Sequence, residues 1–207
     1  VESYLNGIKV YGKVNKAMKS QNKQQKMQQS EVHSSKTLVE VLRFGLFGAI
    51  GFGISFIIFT SPLVTRFFFI MPLQPFFMTV IGGASLGLAL RDKNKVVTLA
   101  LASGFGFLIG YYISGWVVLD YLDLIWYPYG LFIIMAISGT ICGSLMGLAL
   151  KNRKAVLILG VAGFLGFSIG FLISYWITNG STLVYQMIGG ASLGAVLGYL
   201  KKKDLIE

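Results

Sequence analysis

The sequence predicts an all-α integral membrane protein. Six transmembrane helices form three glycine-zipper helical hairpins in a parallel-oriented internal repeat, preceded by a basic amphipathic helix. Composition is the first of three observations behind this expectation. Of 207 residues, 55% are hydrophobic and only 13% charged, with a mean hydropathy of +0.70. A water-soluble domain of this length has too little interior for so much apolar surface, so a bilayer is the natural solvent. The second observation is a series of apolar runs of about 20 residues, the length that crosses a hydrocarbon core. The third is duplication: shifting the chain by 60 residues lays 81–117 on 141–177 with 16 identities in 37 positions.

Taken in order, the chain divides into a tail and linker at 1–36, a transmembrane domain at 37–203 and a C-terminal tail at 204–207. Lys9, Lys13, Lys16, Lys19, Lys23 and Lys26 recur on one side of a helical turn, with Val10, Tyr11, Val14, Ala17 and Met18 mainly opposite. Such a face suits anionic lipid headgroups or an acidic partner subunit, although Gly7 and Gly12 weaken the helix in isolation. Residues 20–36 read as a polar connector, and Ser34 or Ser35 can cap the first span. Spans are expected around 38–60, 70–90, 96–118, 130–150, 155–177 and 183–200, in hairpin repeats 37–90, 96–150 and 155–200. The last span, at 18 residues, is the weakest of the six. Pro72, Gln74 and Pro75 at the start of the second read as a helix first turn.

The glycines give the repeat its content. Gly139, Gly143 and Gly147 lie four apart, as do Gly190, Gly194 and Gly198, and Gly83 and Gly87 keep the same step. Gly106 and Gly110 lead to Ser114, and Gly166 and Gly170 to Ser174. "GFGIS" at 51–55 resembles "GFLIG" at 106–110 and "GFSIG" at 166–170. Residues four apart share a helix face, so each span offers a groove almost without side chains. In lipid, such grooves let backbones approach and gain van der Waals contact. These glycines are therefore expected to pack helices, with Leu131 and Leu157 turned toward lipid. Cys142, in the fourth span, reads as a small packing residue.

Charge predicts orientation. Arg91, Lys93 and Lys95, then Lys151, Arg153 and Lys154, then Lys201, Lys202 and Lys203 fall on one alternating set of segments, together with the lysines of the tail. The opposite connections hold Arg66 alone among the basic residues, with Asp120 and Asp123. The positive-inside rule puts both termini on the cytoplasmic side, or its stromal or matrix equivalent. Trp116, Trp126 and Trp176 gather at the far ends of the spans, as an outer aromatic belt does.

Chemistry is sparse. No Asp, Glu, Lys or His falls mid-span, which disfavours proton-coupled transport. Gly143–Ser144 has no intramembrane His to activate a nucleophile, and the one histidine, His33, lies in the linker. No enzyme activity, metal, cofactor or nucleic-acid partner is expected. Mild polar residues enter the spans: Ser85, Thr98, Ser103, Ser138, Thr140, Ser144, Ser168 and Ser192. They suit helix packing more than a solute path. The leading expectation is a non-enzymatic structural, accessory or assembly subunit held among other membrane protein subunits. A small passive channel or transporter for an ion or neutral solute is the alternative, and a lipid-interacting, membrane-shaping protein a further one.

The topology is testable by cysteine labelling at positions 94, 122, 152 and 180. Positions 94 and 152 should label only from the side of the amino terminus, and 122 and 180 only from the other. Labelling of 94 or 152 from the outer side breaks the six-span scheme.

Overall fold

Turns that fix the helix ends are written into the sequence as a basic residue followed by Asp or Asn. In the computed structural model Arg91 adopts φ 60 and Lys151 φ 54. Each closes the preceding helix by donating its N–H to the carbonyl three residues back, Arg91 to Leu88 at 2.9 Å and Lys151 to Leu148 at 2.8 Å. The next residue starts the following helix. The Asp92 carboxylate accepts from Asn94 N at 2.9 Å, and Asn152 Oδ1 accepts from Lys154 N at 2.9 Å and Ala155 N at 3.1 Å. A left-handed residue other than glycine costs about 1–2 kcal/mol, while an Asx cap returns about 1 kcal/mol. The same device at two positions 60 apart is the local form of the sequence duplication.

The structure describes residues 37–61, 73–118, 129–178, 181–203 and 205–206, and among them every regular element is helical. The chain divides into two compact units, Val1–Val39 and Glu40–Glu207. The helices are α1 (Thr37–Thr60), α2 (Gln74–Leu90), α3 (Lys93–Trp116), α4 (Tyr129–Ala149), α5 (Arg153–Ile177) and α6 (Thr182–Lys202). All but α2 are long and apolar enough to cross a membrane. The basic amphipathic helix expected at 4–29 lies outside the described residues.

One length differs from expectation. The sixth span is not the weak one: α6 runs 21 residues. The short helix is α2, 17 residues rather than the expected 21, because it starts only at Gln74 with Pro75 in its first turn. At 1.5 Å per residue that is about 26 Å, against about 30 Å of hydrocarbon.

Within the second unit each helix packs on its neighbours in the chain, α2 on α3, α3 on α4, α4 on α5 and α5 on α6. The Ser55 hydroxyl of α1 donates to Phe77 O of α2 at 2.9 Å. The ring then closes, since a Cβ placed on Gly190 of α6 would lie 2.5 Å from Gly48 O of α1. Side chains fill the centre, with Phe44, Leu86, Leu99, Met146, Leu159, Leu193 and Leu197 fully buried. The outer surface carries isoleucine, leucine and aromatic side chains. Leu157 stands 73% exposed, as expected of a lipid-facing residue. Leu131 does not: it is half-buried against the core.

Gly143→Leu should lower the melting temperature in detergent, because its first added carbon would already collide with the Leu159 carbonyl; overpacking of this kind costs about 1–3 kcal/mol. Gly115→Ala, whose Cβ would meet nothing within 4 Å, and Leu157→Ile should leave it within error. An unchanged melting temperature for Gly143→Leu would remove the steric explanation.

Candidate functional site

The residues expected to pack helices sit where backbones cross. At all twelve of these glycines a Cβ would come within 3.0 Å of a neighbouring helix, closer than carbon atoms normally stand. On α4, Gly139 faces Gly163 O of α5 at 2.5 Å, Gly143 faces the Leu159 carbonyl, and Gly147 faces the Val156 backbone. On α2, Gly83 meets the Leu99 carbonyl and Ser103 Oγ of α3, and Gly87 meets the Val96 backbone. On α6, Gly190 meets Gly48 O, Gly194 the Phe44 carbonyl, and Gly198 Glu40 O at 2.9 Å, all on α1. The glycines of the odd-numbered helices likewise face the next helix round the ring. A Cβ on Gly106 would lie 2.7 Å from Cys142 Cα and one on Gly110 2.5 Å from Ser138 Cα, both on α4. A Cβ on Gly166 would lie 2.5 Å from Ser192 Cβ and one on Gly170 2.9 Å from Tyr185 O, both on α6. Lys9, Lys13, Lys16, Lys19, Lys23 and Lys26 lie outside the described residues.

These close crossings admit an aromatic axis. Phe52 of α1, Phe107 of α3 and Phe167 of α5 occupy matching places in "GFGIS", "GFLIG" and "GFSIG". Their helices are not neighbours in the ring, so side chains that touch must meet across its interior. They do: Phe52 and Phe167 stand edge-on at 6.1 Å, and Phe107 and Phe167 are tilted at 5.3 Å. All three are buried. The even-numbered helices make room with glycine. Gly82 and Gly190 lie against the Phe52 ring, and Gly139 and Gly189 against Phe167. Sequence reasoning found the repeated Gly-Phe pair but gave it no role; the recurrence of a large residue beside the packing glycine was the available signal.

Hydroxyls in the bundle are spent on backbone carbonyls. Ser103 Oγ donates to Thr79 O at 2.9 Å and Thr79 Oγ1 to Ser103 O at 3.1 Å, a reciprocal pair across α2 and α3. Ser85 donates to Phe47 O and Ser192 to Ala162 O, each at 2.9 Å. Ser138 and Thr140 bond within α4, to Ile134 O at 2.6 Å and Ala136 O at 2.7 Å. Thr98 bonds Asn94 O at 3.0 Å near the basic end of α3. Three buried side-chain oxygens among the described residues have no hydrogen-bond partner, Ser168 Oγ, Gln186 Oε1 and Glu40 Oε2, the last 3.7 Å from the Arg43 guanidinium. Gln186 is fully buried and was not singled out from sequence, because one amide in an apolar run has no periodic signature.

One end of the ring gathers the basic turns. Lys201 Nζ donates to Leu90 O at 3.4 Å, linking the end of α6 to the α2–α3 turn. The Asn152 amide donates to Leu205 O, tying the C-terminal tail to the α4–α5 turn. Ile206 is buried there as part of the core. Among the described residues, no group of three or more His, Cys, Asp or Glu is placed to hold a metal ion. Compared with protein-family models, curated proteins and solved structures, the chain matches none of them.

Phe107→Ala and Phe167→Ala should each destabilise the bundle by roughly 3–5 kcal/mol, since the interior cannot collapse fully around the missing ring. Phe164→Ala, at a position 43% exposed on the outer surface, should cost clearly less. Equal losses in denaturant unfolding would show that the axis carries no special share of stability.

Proposed function

We propose that the chain is a non-enzymatic structural, accessory or assembly subunit of a larger membrane complex. The observation that carries this reading is the aromatic axis. A ring of six helices that conducts solute needs a continuous polar path, whereas this interior is crossed by Phe52, Phe107 and Phe167 at van der Waals separation. Ser55, Ser103 and Ser192, hydroxyls of the kind such a path needs, are committed to carbonyls. A rigid, dry body of this kind is suited to holding other spans in place.

In this reading the chain is three glycine-zipper hairpins of like orientation, and its basic end faces the cytoplasm or its stromal or matrix equivalent, as excess Lys and Arg favour. Lys9 to Lys26 supply a contact with anionic headgroups or with an acidic face of a partner subunit. Exposed Trp116 and Trp176 provide the opposite, outer belt. A second reading, a small passive channel, draws support from Gln186 Oε1 and Ser168 Oγ, two buried polar atoms without hydrogen-bond partners among the described residues. Such a path would have to run beside the phenylalanines.

Purification in mild detergent, followed by native sizing and identification of co-purifying chains, should give a hetero-assembly well above the mass of one chain. Reversing Lys9, Lys13 and Lys16 to Glu should weaken that attachment, and salt should weaken the wild-type attachment likewise, with the helical core intact. Selective solute flux through liposomes holding the purified chain alone would overturn the subunit reading and promote the channel.

A further inference from the structure

At the basic end of the ring the packing opens into a cavity of about 540 Å³. Its walls come from three places: the α2–α3 turn with the start of α3, the end of α4, and the C-terminal tail. One side is cationic and the other apolar. Lys95 and Lys151 line it, with Asp92 as the one carboxylate. Lys95 Nζ stands 3.7 Å from that carboxylate, which leaves Lys151 without an acidic partner among the described residues. Among the described lining residues the balance is therefore positive. The left-handed turn at Lys151 places this residue at the rim, where its side chain is exposed. Leu150, Leu205 and Ile206 form the apolar wall, and Asn152 holds that wall in place through its bond to Leu205 O.

We propose that this cavity binds the headgroup and glycerol region of an anionic phospholipid. A small water-soluble anion gains nothing from the leucine and isoleucine wall, whereas a phospholipid presents phosphate and apolar surface in that sequence. Lys151 faces the phosphate, Asn94 supplies a neutral amide donor beside it, and Leu150 and Leu205 receive the glycerol and the first acyl carbons. The pseudo-repeat supports a single site rather than three. The tail that builds the apolar wall occurs once, and it is tethered at the α4–α5 turn. The inference rests on the reading that this end of the bundle lies at a membrane surface.

The test uses the full chain in neutral detergent and in liposomes of phosphatidylcholine with phosphatidylglycerol as the probe lipid. Native mass spectrometry should show phosphatidylglycerol retained in preference to phosphatidylcholine at one copy per chain. Lys151→Asn keeps a residue that tolerates the left-handed turn and should lower that preference about fivefold, the worth of one lysine near an anionic surface. Adding Lys95→Gln should lower it further. Lys93→Glu, exposed at the same end but outside the cavity, should leave it unchanged. An equal loss from Lys93→Glu would mean that the diffuse positive field selects the lipid, and the site falls. Displacement of phosphatidylglycerol by millimolar inorganic phosphate would assign the cavity to free phosphate and overturn the lipid. Failure of the chain to float with liposomes removes the membrane reading itself; flotation without headgroup preference removes the site alone.

Discussion

Backbone-to-backbone approach of neighbouring helices is the constraint on which the rest of this structure depends. Inside a bilayer the lipid is as apolar as the protein surface, so burying leucine gains little and contact must come from close fit. Glycine permits that fit by removing Cβ where two helices cross. Gly139 and Gly163 face each other's carbonyls at the α4–α5 crossing, and Gly48 and Gly190 do the same at the α6–α1 crossing. At the equivalent place on α2 and α3 the pair is Thr79 and Ser103, joined by reciprocal hydroxyl-to-carbonyl bonds. Two chemistries thus solve one problem: either nothing stands between the backbones, or a hydroxyl satisfies the carbonyl it meets.

Tight crossings also set what the centre holds. A ring of six helices leaves more axial space than a pair, and glycine on the crossing faces enlarges it. Phe52, Phe107 and Phe167 refill the volume, each from an odd-numbered helix, and glycines of even-numbered helices cradle the rings of Phe52 and Phe167. The same small residues therefore act twice, bringing backbones together at their flanks and receiving aromatic rings at the axis. That coupling explains why a single methyl group at Gly82 or Gly189 would strike a phenylalanine ring rather than empty space.

Much of this was legible in the residues, and the losses have physical causes. Helix ends at Thr60 and Ile177 fall within a few residues of the apolar runs, because length and hydropathy are local properties. The onset of α2 at Gln74 was less accessible, since the aromatic run before it is as apolar as a span and only Pro75 marks the first turn. The glycine spacing announced close packing but not its partners. Each helix of a ring has two neighbours, and a four-residue step is the same whichever one it faces. The phenylalanines were visible as a repeated pair, yet Phe52 and Phe107 reach Phe167 from helices that are not its neighbours in the ring, which no periodicity encodes. Lys9 to Lys26 fall outside the described residues, so the tail has no structural counterpart here.

The departures from repetition are what point to function. Arg91 and Lys151 end their helices in the same left-handed turn, but Lys203 does not: its φ is −87, and the chain continues. Leu205 then bonds back to Leu200 O at 3.1 Å, and Ile206 settles into the core beneath the ring. A third left-handed turn would have completed the symmetry and left no tail to place there. Instead the basic end acquires an apolar wall, a tether at Asn152, and a cavity whose described lining sets Lys95 and Lys151 against Asp92. Repetition governs how the helices pack, so it is shared among the copies and carries little selectivity. In the described residues the copies differ at the end where the tail folds back, as well as at the Thr79–Ser103 crossing, and a feature confined to that end is one the repeat does not triplicate.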